Sequence, residues 1–390
     1  MRVSSRLALV AARLFDSASA TVRERPVLLI EGERIADVAF GVEPPPDAPV
    51  HDLGDATLLP GLIDPHVHLA LDASPDPVAR LAARSDSELV AAMERAARTA
   101  ARAGITTMRD LGDRGYLSLG LRGRPDLPTL LAAGPPITLA GGHCHFLGGR
   151  VEPGPDGMRA GVRERAERGV DVVKIMASGG TLTPGTFQHQ AQFDVDDLRA
   201  AVDESHRLGL PVTAHAHATA AVVNALDAGV DGIEHATFWT EEGVASPTDV
   251  LARIVERGVT VGATVGVLPT SAGPPPAVAA RLRPMLANLR YLHEAGAVMV
   301  AGSDAGIGPP KPHDVLPYAL AMLVGAGFGP AAVLQMMTRG AADACGLGDR
   351  KGRLATGYDA DVLAVHGDPV GTVAAIHDVA AVYLRGAAIR

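Results

Sequence analysis

The 390-residue chain is long enough for one large domain, or for a large domain with a small companion. A hydrophobic share of 47% with 20% charged residues is that of an ordinary globular protein, and a net charge of -9 without a basic stripe argues against a nucleic-acid partner. Two isolated cysteines, Cys144 and Cys345, offer neither a disulfide framework nor a thiolate zinc site, which fits a reduced cytoplasmic setting, and no apolar run is long enough to span a membrane.

Residues 1–20 carry arginines, a short apolar stretch and an Ala-Ser-Ala ending, but Arg13 and Asp16 interrupt the apolar run. The segment therefore reads as a strand opening a small sheet rather than as a leader. Short apolar runs separated by turns continue to residue 57 and suggest a few antiparallel strands, with a hairpin turn at Glu31-Gly32. Residues 355–390 show the same pattern, and neither end can bury a core alone. The expectation is one small β-sandwich domain formed by residues 1–57 and 355–390.

Between residues 58 and 354 the pattern changes to apolar strands alternating with Ala/Arg/Glu-rich helices. The strand candidates are LLPGLIDPHV, TTMRDL, ITLAG, VVKIMA, PVTAHA, GIEHA, VTVGATV and VMVAGSD. The helices between them, such as SELVAAMERAARTAARAG and VDDLRAAVDESHRLG, end in glycine, as helix C-termini often do. Eight such units are the count of a (β/α)8 TIM barrel. A doubly wound open sheet is the alternative, but its Gly-rich phosphate fingerprint is missing after the first strand.

The polar residues that stand out all fall at the C-terminal ends of these strands, where barrel enzymes carry their chemistry. His66 and His68 are two apart, so both imidazoles face one side of a strand and can reach one ion. Lys174 sits in the apolar run VVKIM of a chain with only two other lysines, Lys311 and Lys351. A buried ammonium is expensive, whereas a neutral lysine can take up CO2 to become an anionic carbamate able to bridge two ions. His215 and His235 end the fifth and sixth strands and suit a second metal; His217 repeats the two-residue spacing and could be a ligand, but reads rather as a substrate contact. Asp304, between small residues in GSDAG, would exchange a proton with a metal-bound water, although a lone aspartate there could equally cap a helix. Imidazole and oxygen donors without thiolates suit Zn2+ or a similar divalent ion. Such an ion acidifies water and polarises a carbonyl, so the expected reaction is hydrolysis of an amide-type bond of a small molecule. His51, His206, His293, His366 and His377 read as solvated.

In order and in strand position these residues resemble the amidohydrolase superfamily over essentially the whole chain. The runs TLLPGLIDPHVHL, ITLAGGHCH, VVKIMASGG, VTAHAHA, GVDGIEHATF, AGSDAG and GYDADVLAV are similar to its imidazolonepropionase-like branch, which includes Xaa-Pro and Xaa-Arg dipeptidases. The resemblance implies two zinc ions: His66, His68 and Asp304 on one, His215 and His235 on the other, and carboxylated Lys174 on both. It implies a metal-bridging hydroxide that attacks the amide of a dipeptide or N-acyl amino acid, with Asp304 as proton shuttle. It also makes His143 a substrate contact and implies a homo-oligomer of unfixed number. Cyclic-amide hydrolysis or deamination on the same site, and a barrel that has lost its chemistry, are the alternatives. Lys174 itself argues against imidazolonepropionase activity, and His217 stands where several related peptidases carry tyrosine.

Overall fold

The computed structural model describes residues 6–269 and 276–390, so the first five residues of the expected N-terminal segment lie outside the described residues. The chain ends build two sheets. In one, Arg34–Phe40, Pro26–Glu31, Arg6–Val10 and Val50–Asp52 lie side by side; in the other, Ala387–Ala388, Val379–Leu384, Val362–His366, Ala56–Pro60, Arg13–Asp16 and Thr21–Glu24 do so. The two ends of the chain meet along Ala56–Pro60 and Val362–His366, which pair antiparallel over five residues. Leu9, Leu28 and Ile30 of the first sheet share a buried apolar cluster with Leu58, Val362 and Tyr383 of the second.

Two details differ from the sequence pattern. The hairpin loop is Gly32-Glu33, because Glu31 pairs with Arg34 and Gly32 takes the positive φ of +60°. Not every pairing is antiparallel either: Arg6–Val10 runs parallel to Val50–Asp52, and Arg13–Asp16 parallel to Ala56–Pro60. Those partners are tens of residues apart, beyond the reach of any local turn signal.

The strand Ala56–Pro60 continues through Gly61 into the first of eight parallel strands among the described residues. These are Leu62–Val67, Ile105–Asp110, Thr129–Ala132, Val173–Met176, Val212–Ala218, Gly232–Trp239, Thr260–Thr264 and Met299–Gly302, hereafter the first to eighth. Their neighbours follow chain order, the first three in one ladder and the last five in another. A doubly wound sheet would instead reverse order at a switch point. Single parallel bridges join Ile137, beyond the third strand, to Ile175 of the fourth, and Val67 of the first to Ala305, beyond the eighth. The arrangement is a TIM-barrel-like α/β fold.

The third strand is Thr129–Ala132, not ITLAG. Pro135 and Pro136 supply no N–H and break the run. Ile137 beyond them sits beside the fourth strand, its amide donating to the Lys174 carbonyl at 2.8 Å.

The helices form for local reasons that the sequence displays. Asp86–Arg102 opens on a reciprocal Ser85–Glu88 capping box and buries Leu89, Met93, Ala97 and Ala100 as one stripe. Helices Pro155–Arg168, Thr219–Ala228 and Thr248–Arg257 stop at Gly169, Gly229 and Gly258, each left-handed. No helix among the described residues is long and apolar enough to cross a membrane.

Candidate active site

The first and eighth strands are laced together at their C-terminal ends. Asp64 Oδ1 accepts from the amides of His66 (3.3 Å) and Ser303 (3.0 Å), and the Asp304 amide donates to the His66 carbonyl at 2.7 Å. Asp304 itself is left-handed, with φ of +56°. That bend sets its Oδ1 3.4 Å from His66 Nε2 and 3.2 Å from His68 Nε2.

On the fifth strand His215 and His217 share a face. The sixth strand carries extra residues opposite them: Ala216 pairs with His235, but Ala218 pairs with Trp239. The surplus is taken up in left-handed backbone at His235, Ala236 and Phe238. Such conformations cost on the order of 1–3 kcal/mol each and persist where the surroundings demand them. The bulge swings His235 Nε2 to 2.9 Å from His215 Nδ1, while His217 and His235 stack at 4.3 Å between ring centroids.

Hydrogen bonds on the far side of each ring fix the tautomers. His66 Nδ1 donates to Glu234 (2.8 Å), His68 Nδ1 to the Gly112 carbonyl (3.2 Å) and His215 Nε2 to the Gly179 carbonyl (3.1 Å). Carboxylates and carbonyls only accept, so the inward nitrogen of the neutral His66 and His215 rings carries a lone pair; His68, drawn up by Asp304 against the cost of burial, keeps a proton on Nε2 facing that carboxylate. His235 Nδ1 lies 2.7 Å from Thr264 Oγ1, which can hold it in the same sense. Burial, reinforced by neighbouring cationic groups, pulls His66 down to about 4 and His215 and His235 well below the ordinary histidine value. With His235 Nδ1 donating to Thr264, the lone pairs of His215 Nδ1 and His235 Nε2 would face each other at 2.9 Å, an arrangement that a shared cation would stabilise.

Two clusters of ligand atoms result, His66 with His68 and Asp304, and His215 with His217 and His235. Against the cost of burial, His66 and His68 hold the Asp304 carboxyl well below the usual carboxylate range. His217, expected as a substrate contact, thus also stands among potential ligands; its Nδ1 lies 2.7 Å from Thr237 Oγ1.

Lys174 is 1% exposed and lines the same cavity, and its Nζ has no hydrogen-bond partner. Burial pulls it down to about 8, while Glu234 and Asp304 oppose that shift. Sequence reasoning misses Glu234, although a glutamate next to a histidine in an apolar strand is a signal of its own. It accepts from His66, from Arg109 Nη2 (3.1 Å) and from Thr213 Oγ1 (2.7 Å). Only glycine fits opposite, since a Cβ at Gly262 would stand 2.1 Å from Glu234 Oε2. An acceptor behind a ligating imidazole sets its orientation and basicity. Glu234→Gln is expected to weaken divalent-ion affinity roughly 10- to 100-fold, read by metal titration of the apoprotein; unchanged affinity would remove Glu234 from the site.

Over these groups folds the loop after the fourth strand, tied by the Ser178–Ala191 bridge and by Thr186 Oγ1 donating to the Gly180 (3.0 Å) and Thr183 (2.9 Å) carbonyls. His143 is buried beneath it, its Nδ1 without a partner, and burial pulls it down to about 3. A Cβ at Gly180 would meet the His143 ring at 2.2 Å, so glycine there makes room for the imidazole. His313 is buried and donates from Nε2 to the His68 carbonyl (3.2 Å). Of the histidines read as solvated, His206 and His366 are exposed, but His293 is half-buried and stacks on Phe328 at 4.6 Å. His51, although exposed, bonds the Tyr383 hydroxyl.

The family model described as "Amidohydrolase family" matches residues 57–389. Ochratoxinase of Aspergillus niger is 28% identical over 230 residues, covering 56% of this chain and 46% of that protein, so the match spans less than half the relative's length. Imidazolonepropionase of Deinococcus radiodurans is 28% identical over an alignment of 401 residues, 93% of this chain and 92% of that one. Among solved structures, a Xaa-Pro dipeptidase with bound methionine in its active site is 27% identical and superposes with a TM-score of 0.86 over 99% of this chain and 100% of that chain.

Proposed function

The chain belongs to the amidohydrolase family, and from that premise we propose that it is a binuclear metal-dependent hydrolase cleaving the C–N amide bond of a dipeptide or N-acyl amino acid. One observation carries the proposal: two convergent ligand groups and a partnerless buried lysine line a single cavity. The likeness to a Xaa-Pro dipeptidase over the whole chain supports the choice of bond.

The donor set fits zinc. Tetrahedral coordination at about 2.0–2.1 Å sets neighbouring ligand atoms about 3.3 Å apart. The spacings of 3.2 and 3.4 Å around Asp304 and 2.9 Å between His215 and His235 are of that order. In the proposal His66, His68 and Asp304 hold one ion, His215 and His235 the other, and carboxylated Lys174 both. Such ions, when bound, acidify water and polarise the substrate carbonyl.

The chain's own groups do the rest. The Lys174 ammonium first gives a proton to solvent; the neutral amine then attacks CO2, forming an N–C bond as a C=O π bond opens onto oxygen, and the nitrogen gives a second proton to solvent, so that a costly cation becomes an anion. The Asp304 carboxylate, ionised across the neutral range, takes the proton of the attacking water and returns it to the leaving nitrogen. His143, neutral and held under Gly180, donates a hydrogen bond to the carbonyl oxygen as charge develops there. His217 contacts the substrate from the opposite strand end. The chain-end sheets, residues 1–57 with 355–390, form in this proposal a small β-sandwich beside the 58–354 barrel, supported by their shared apolar cluster.

The test is turnover of a library of dipeptides and N-acyl amino acids by metal-loaded protein. Release of free amino acid is expected. Ammonia release from cyclic or amino-heterocyclic compounds, with every dipeptide and acyl amino acid inert, would replace peptide-type hydrolysis by deamination.

A further inference from the structure

Of the three lysines, Lys174 lines the cavity with the ligand groups and Lys351 is buried against Asp359 and Asp361. Lys311 is left without a role. It lies beyond the eighth strand in the Pro/Gly-rich run 306–312, anchored by its own carbonyl, which accepts from the Gly306 amide at 2.8 Å. Its Nζ donates to the main-chain carbonyls of Ser303 (2.5 Å) and Thr264 (3.4 Å), and its side chain lines the cavity that holds Asp304 and His217. An ammonium has three N–H donors and no acceptor. Two carbonyls engage two of them and fix the group in place; Asp304 and Asp64 lie near enough to favour its charge against the cost of burial, but neither forms a salt bridge with it, and the third N–H is free for a further acceptor. Lys174 is the only other lysine or arginine on that cavity wall among the described residues, and its charge disappears in the carbamate. The same cavity also carries the apolar side chains of Trp239, Val278, Met285 and Ile307.

We propose that Lys311 binds the free carboxylate of the substrate's terminal residue, whose apolar side chain packs on Val278, Met285 and Ile307. The substrate class is then N-acyl amino acids and dipeptides ending in an apolar residue with an unblocked α-carboxylate. The assignment rests on the hydrolase reading above. It accounts for a lysine where a tie between two strand ends would need no charge.

The test compares N-benzoyl-L-leucine with its neutral counterpart N-benzoyl-L-leucinol. The unaltered protein is expected to favour the acid by roughly 10- to 100-fold in kcat/KM, the range of a charge-assisted hydrogen bond. Lys311→Gln keeps N–H donors for the two carbonyls; it is expected to erase the preference through KM for the acid and to change the alcohol by less than about threefold. Equal losses on both substrates, or no preference in the unaltered protein, would overturn the assignment. Calorimetric binding of the uncleavable pair N-benzyl-L-leucine and N-benzyl-L-leucinol reads the same preference without turnover. Preference for the acid there, with no amide hydrolysed, would keep Lys311 as a carboxylate site and overturn the hydrolase reading; equal binding would overturn Lys311 alone.

Discussion

Lys174→Ala is expected to purify with most of its divalent metal missing and to lose hydrolysis by roughly a thousandfold or more, because the several kcal/mol that bound ions give a transition state convert at about 1.36 kcal/mol per decade. Burial is the starting point. Lys174 points from an apolar strand into the cavity, 1% exposed, with no acceptor for its Nζ hydrogens. A native protein rarely tolerates an unpaired buried ammonium. Its pKa, pulled down to about 8 by burial, leaves a usable fraction of neutral amine in the neutral range. Carbamate formation removes the mismatch and supplies an anion in the cavity that both ligand clusters line. Alanine keeps the backbone pairing of Lys174 with Thr213, so the fold should survive. Metal content and kcat/KM of the purified variant decide the matter. A variant retaining both ions and full activity would rule out the bridging role.

Asp304→Asn should lower kcat by about 10²- to 10⁴-fold, the span of a positioned acid or base, with little change in melting temperature. Asparagine has the same shape and tolerates the left-handed backbone that position 304 adopts, with φ of +56°. The backbone amide there can still donate to the His66 carbonyl. What is lost is an ionised carboxylate, and with it the acceptor for the water's proton. Kinetics beside a thermal melt separate this from misfolding. Unchanged kcat in a folded Asp304→Asn variant would require another proton acceptor.

How much of the fold and site is legible in the sequence follows from the range of each signal. The His66–His68 spacing and the strand-end positions of His215, His235 and Asp304 are local, and they can be read directly. Lys174 is legible because the chain nearly avoids lysine. Glu234 is not, because its meaning depends on Arg109 and His66 arriving from other strands. The third strand is misplaced by the sequence pattern because Pro135-Pro136 splits one unit into two pieces that pair with different neighbours. The parallel pairings in the chain-end sheets join segments far apart, and periodicity carries no information on that register. His217 shows the remaining difficulty: the bulge opposite it, which brings it among the potential ligands, arises from extra residues in the sixth strand that spacing along the fifth cannot reveal.

The central claim is that this cavity holds two divalent ions and uses them for hydrolysis. Elemental analysis of the metal-loaded chain, run alongside turnover before chelation, after chelation and after metal is restored, tests it most directly. The expected result is close to two ions per chain, with amide hydrolysis lost on chelation and regained with zinc. A chain that binds no divalent ion, or whose hydrolysis is indifferent to chelation, would contradict it.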